Sequence, residues 1–190
     1  AQTAAPATEG ASSTDPLAGD IVVTARKREE SAQSVPLAIS AFSGAAIEAR
    51  GVQKIDGLAS FTPNMTLQNN PSFGGAGSSA AIYIRGIGQK EFLPTTEPGV
   101  GVYVDGVYVA RSVGALLDLV DVERVEILRG PQGTLFGRNT IGGAISITTK
   151  KPDETPSGNL QVTTGRFSRI DVKASANIPL SDTLFSKVTV

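Results

Sequence analysis

The chain has 190 residues and a formal charge of −1, enough for one domain with a real core and no overall field that favours nucleic acid or an acidic membrane surface. It contains no cysteine and no histidine, which removes disulfides, thiol catalysis, the usual zinc sites and the commonest general base. Twenty-one glycines and eleven prolines point to many turns and short elements, and no apolar run reaches the ~18 residues of a membrane-spanning helix.

Residues 1–19 are mostly Ala, Thr, Ser, Pro and Gly and carry too little apolar mass to offset ordering entropy, so a disordered arm is expected. The start Ala1-Gln2-Thr3 would suit a mature terminus left by signal cleavage. The arm is interrupted by Asp20-Ile21-Val22-Val23-Thr24-Ala25. Four β-favouring residues on a flexible tether suit addition to another protein's sheet edge. They equally suit an edge strand of the chain's own domain. The charged run Arg26 to Glu30 reads as a solvated spacer.

Val35 to Phe42 alternates weakly and is read as a strand. Ser43 is placed to cap a helix over 44–50, ended by Gly51. Ile55 and Leu58 predict a second short helix closed before Pro63, and Met65 and Leu67 begin another strand. Residues 69–79 are a loop by composition, with Phe73 as its aromatic. A strand from Ala81 to Arg85 follows, then a second loop over 87–98 that offers Gln89, Lys90, Glu91 and Phe92 as ligand contacts. Asp105-Gly106 is the strongest hairpin signal, placing Tyr103 opposite Tyr108. Ser112 can cap a helix in which Val113, Leu116, Leu117 and Val120 form one stripe.

Arg124 to Arg129 reads as a strand with Val125 and Ile127 on one face and Glu126 on the other. Gly130-Pro131 breaks it, Gln132 to Phe136 gives about one helical turn, and Gly137 suits the residue after it. Gly142-Gly143 permits a reversal into a last strand, Ala144 to Lys150. A glycine-rich corner after a strand invites a phosphate-loop reading, but the glycine spacing is wrong and Arg138-Asn139 stands where Lys-Ser/Thr is required. Beyond Pro156, Leu160 and Val162, then Ile170, Val172, Ala174, Ala176 and Ile178, alternate with polar residues. Runs of about ten such residues between turns are the pattern of transmembrane barrel strands.

Several of these segments resemble one family. Val125-Glu126, Gly130-Pro131, Phe136-Gly137 and Gly142-Gly143-Ala144-Ile145-Ser146-Ile147 resemble the end of the plug domain of TonB-dependent outer-membrane transporters. Val102-Tyr103-Val104-Asp105-Gly106-Val107-Tyr108 resembles that family's plug hairpin, and Ile21 to Ala25 is similar to its TonB box. The resemblance implies an α+β fold: a small mixed-sheet plug domain with short helices over 31–152, after a flexible arm over 1–30. The first antiparallel strands of a transmembrane β-barrel would follow over 157–190. Since a plugged barrel of this kind has about 22 strands, the chain is expected to be part of a longer protein. Its strands beyond 157 are expected to be disordered, self-paired or aggregation-prone without the rest.

The resemblance further implies transport of a scarce or bulky nutrient across a Gram-negative outer membrane, with the N-terminus in the periplasm. A siderophore-iron complex, vitamin, glycan or aromatic compound all remain open. It implies Ile21, Val22, Val23, Thr24 and Ala25 as the site for TonB, which acts with ExbB and ExbD. It implies Arg85 and Arg129 as plug–barrel contacts and Phe73, Gln89, Lys90, Glu91 and Phe92 as ligand contacts, with no metal and no cofactor. The competing readings are a soluble binding or adhesion module using loops 69–79 and 87–98, and an enzyme whose best carboxylates would be Glu91, Glu97 and Asp105.

Overall fold

The computed structural model describes residues 21–25, 27–28, 30–70, 79–90, 96–110, 115 and 117–190. The expectations placed on the arm over 1–19 and on Phe73, Glu91, Phe92, Ser112, Val113 and Leu116 fall outside these residues.

Two short strands come first, β1 (Val22–Val23) and β2 (Glu30–Ser31), paired antiparallel. Strand β3 (Ile39–Ser43) runs into helix α1 (Gly44–Ala49), and the Ser43 hydroxyl accepts from the Ala46 amide at 3.2 Å, as the capping signal predicts. The strand begins later than the alternation from Val35 suggests, because Ser34 and Leu37 donate back to nearby carbonyls in turns. The second helix is a 3₁₀ helix over Ile55–Phe61.

Strands β4 (Met65–Asn70), β5 (Ser79–Ile84) and β6 (Ile87–Gln89) form a three-stranded antiparallel sheet. Residues 69, 70 and 79 and residues 87–89 were expected in loops, and the structure corrects both to strand. Arg85 and Gly86, at φ +53° and +78°, make a primed two-residue turn that returns the chain along β5. The same turn chemistry joins β7 (Val100–Val104) to β8 (Val107–Val109) through Asp105 and Gly106, with Tyr103 opposite Tyr108 as predicted.

The central sheet has the order β3-β9-β10-β7-β8, with β9 covering Val122–Arg129 and β10 covering Gly143–Thr149. All pairings are antiparallel except β10 with β7, so the sheet is mixed. Between β9 and β10 lies helix α2 (Gly133–Phe136), closed by Gly137 at φ +81°. The amides of this corner are spent internally: Gly130 donates to Gly142, Gln132 to Thr140, and Gly142 to Gly99.

The helix expected after Ser112 does not form over its described residues. Leu117 and Leu119 are extended against residues 53–55, with the Ile55 amide donating to Leu117 and the Leu119 amide to Gln53. Beyond the plug, β11 (Ser157–Gly165), β12 (Arg169–Ser181) and β13 (Leu184–Thr189) make an antiparallel meander. Pro179 lies inside β12, at a register irregularity where a missing amide is tolerated.

The mixed sheet is buried on both faces. Val125, Ile127, Ile145 and Val102 enter the main core with Ile55, Leu58 and Ile84. Leu128, Ala144 and Tyr103 enter a second core with Val23, Ala25 and Val35.

Candidate functional site

The 21–25 segment is built onto the second face of the sheet. Val23 and Ala25 are fully buried there, while Val22 stays about half exposed. The cover continues with Ala32, Leu37 and Ile39 against Tyr108 and Phe136. Tyr103 donates to the Phe136 carbonyl at 2.6 Å and stacks at 5.3 Å on Tyr108 and 5.1 Å on Phe136. The tyrosine pair is thus a packing unit of this cover. Burial, and then the neighbouring Tyr108, raise the Tyr103 pKa above its usual value.

One polar group sits inside this apolar layer. Glu126 on β9 is completely buried, and its Oε1 accepts from the Thr24 amide at 2.8 Å and from the Thr24 hydroxyl at 3.1 Å. Arg124 donates to the same oxygen at 2.9 Å, supplying the charge that a buried carboxylate requires. The sequence read Glu126 only as the polar face of β9. The available signal was Leu128, two residues on, which places an apolar side chain on that same face and marks it as covered. In the structure Val22–Val23 is a short strand and Val23 and Ala25 pack on the chain's own domain, the second of the two roles that the residues of this segment suit.

Arg85 and Arg129 come together at one end of the plug. The Arg85 guanidinium lies across Gly130, where an added Cβ would sit 3.1 Å from its Nη1. Arg129 reaches the Pro63 carbonyl at 3.5 Å, and its buried Nε has no partner. Among the described residues neither guanidinium is paired with a carboxylate; Arg85 is exposed and Arg129 half-buried.

The meander presents two unlike faces. Leu160, Val162, Ile170, Val172, Ile178 and Val188 are exposed on one side. The other side meets the plug through polar groups. Gln53 donates to the Thr163 hydroxyl at 3.1 Å and accepts from Arg169 at 3.2 Å. Lys173 pairs with Asp118 at 3.7 Å, and Lys187 pairs with Asp121. The buried Asn177 amide donates to the Asp153 and Thr155 carbonyls and so ties the linker to β12. The strands therefore pair with one another and touch the plug by hydrogen bonds and ion pairs, with their apolar side bare.

Of the expected ligand contacts, Gln89 is half-buried at the end of β6 and Lys90 is exposed. The depression beside Gln89 and Pro98 measures about 20 Å³, room for about one water. Of the carboxylates of the enzyme reading, Glu91 lies outside the described residues, Glu97 pairs with Arg138 at 3.1 Å, and Asp105 accepts from the Thr149 amide and hydroxyl.

A mixed sheet covered on both faces, closed by a glycine corner and followed by an antiparallel meander, has the architecture of a plug domain. The chain belongs to the TonB-dependent receptor plug domain family, whose model matches residues 31–144. It is 33% identical over 174 residues to the pesticin receptor of Yersinia pestis, covering 90% of this chain and 24% of that receptor. It is 33% identical over 134 residues to the vitamin B12 transporter BtuB of Vibrio vulnificus, covering 68% of this chain and 20% of that one. The crystal structure of the ferric yersiniabactin uptake receptor FyuA from Yersinia pestis superposes with a TM-score of 0.72 at 31% identity, covering 83% of this chain and 24% of that chain. The chain spans about a quarter or less of the length of these relatives.

Proposed function

We propose that the chain is the plug and first wall strands of a transporter that imports a bulky or scarce nutrient across an outer membrane. The observation that carries this reading is the meander: a sheet with an apolar outer face left bare and a polar inner face bonded to the plug. A soluble module would leave that apolar face to water, whereas a lipid wall accepts it. The plug side does no covalent chemistry in this reading. It gates.

Coupling energy enters through Ile21 to Ala25, by strand addition of TonB, which draws on ExbB and ExbD. Val22 and Val23 already hold strand geometry, so the backbone is preformed for such pairing. Arg85 and Arg129 take their missing counter-charge from carboxylates of the barrel wall and hold the plug in place. Substrate meets Phe73, Gln89, Lys90, Glu91 and Phe92 on the outward side. The relatives are named for pesticin, ferric yersiniabactin and vitamin B12, so a siderophore-iron complex and a vitamin are the leading substrate classes for this chain.

The test is capture of the complete transporter by the TonB C-terminal domain, comparing the parent with Val22→Pro. Proline removes an amide and resists pairing, so capture is expected to fall about tenfold or more. Equal capture of both, or capture of neither, would overturn the coupling reading.

A further inference from the structure

We propose that Glu126 is the positioning residue that parks the 21–25 segment on the plug and sets how readily it leaves. The inference rests on the coupling role of that segment and deepens it.

The anchoring of 21–25 is unevenly distributed. Among the described residues, its hydrogen bonds to Ser31, Glu30, Lys27 and Ala32 stay within the N-terminal segment and travel with it. The polar ties that cross to the sheet run to Glu126 and Arg124: two donors of Thr24 on Glu126 Oε1, and an Arg124 contact to the Thr24 hydroxyl at 3.4 Å. These ties bridge 102 positions of sequence. Val23 and Ala25 flank Thr24 and are buried on either side of it. The carboxylate therefore fixes where along β9 the segment sits, and the two apolar residues follow.

The clamp is also incompletely satisfied. Oε1 takes three donors while Oε2 is buried and takes none among the described residues. A buried carboxylate with one unpaired oxygen carries a desolvation cost. Departure of 21–25 opens Glu126 to water, which restores that solvation and offsets part of the lost bonding. The parked state is specific in geometry and modest in depth. A fully satisfied carboxylate, or an apolar residue in its place, would give one property without the other.

The test uses the complete transporter in outer-membrane vesicles, without substrate. The sequence has no cysteine, so Ala25→Cys reports parking and Ala80→Cys, buried in the main core, reports the rest of the plug. Maleimide alkylation at position 25 is expected to rise about tenfold in Glu126→Ala while position 80 stays slow, the loss of a buried charge-assisted bond being of that size. Thr24→Val, which removes only the hydroxyl, should raise it about threefold and add nothing in the Glu126→Ala background. Glu126→Gln keeps an acceptor oxygen and should fall between parent and Glu126→Ala. An unchanged rate at position 25, or a parallel rise at position 80, would overturn the assignment. If Glu126→Ala does not assemble, unchanged rates in both Thr24→Val and Glu126→Gln overturn it equally. Capture by the TonB C-terminal domain is scored separately. Release of position 25 without capture would count against the coupling reading and leave the clamp standing.

Discussion

The two faces of the central sheet are buried by different means. The main core draws its side chains from residues 42 to 147, with Ile55, Leu58, Ile84 and Val125 fully enclosed. The second face is covered largely by the chain before residue 42, and a carboxylate is set into it. Strand β9 serves both: Val125 and Ile127 turn one way, Glu126 and Leu128 the other. A sheet built like this has one cover that belongs to the fold and one that is drawn from a separate, short stretch of chain. The second can lift without dismantling the first, which suits a gate that is addressed from one side.

Three substitutions or conditions sharpen that contrast. Ile127→Ala removes a fully buried side chain from the main core and is expected to cost about 2–5 kcal/mol in chemical denaturation, with the plug unfolding as a unit. Val23→Ala, equally buried but on the second face, should cost about 1–2 kcal/mol. Its signature is local: amides of residues 21–32 should lose hydrogen-exchange protection while those of β9 and β10 keep theirs. Equal loss in β9 would show that the two covers are one cooperative unit.

The smallest effect is alkaline. Tyr103 has its pKa raised by burial and by Tyr108, so the folded state holds the neutral phenol more strongly than the unfolded chain does. Its contribution is complete below the ordinary tyrosine value of about 10 and is lost as pH rises through the raised value. The second face should loosen in that window, followed by tyrosinate absorbance against exchange in 21–32. Tyr103→Phe should flatten this dependence, while costing about 0.5–1.5 kcal/mol at neutral pH for the bond to Phe136.

Local chemistry made much of the plug readable. Asp105-Gly106 fixed a hairpin because its turn demands those residues, Ser43 capped its helix, and the glycine corner closed β9 onto β10 as its spacing indicated. Failures came where distant partners decided the outcome. Leu117 and Val120 belonged to a helical stripe by spacing, but residues 53–55 offered Leu117 and its neighbour Leu119 an extended ladder. Ile87 to Gln89 read as loop because glycine interrupts it, yet Gly88 is needed where an added Cβ would strike the Ile82 carbonyl at 2.0 Å. The clamp between Thr24 and Glu126 lay beyond any local window, since no short-range pattern ties residues so far apart.

The parallel pairing of β7 with β10 carries a consequence for how the plug comes into being. The β9–β10 and β7–β8 hairpins are local, but joining them closes a loop of about forty residues, the kind of contact that forms late. The surface that receives Val23 consists of Tyr103, Leu128 and Ala144, and it does not exist until that closure. So the first part of the described chain to be synthesised is the last to find its place.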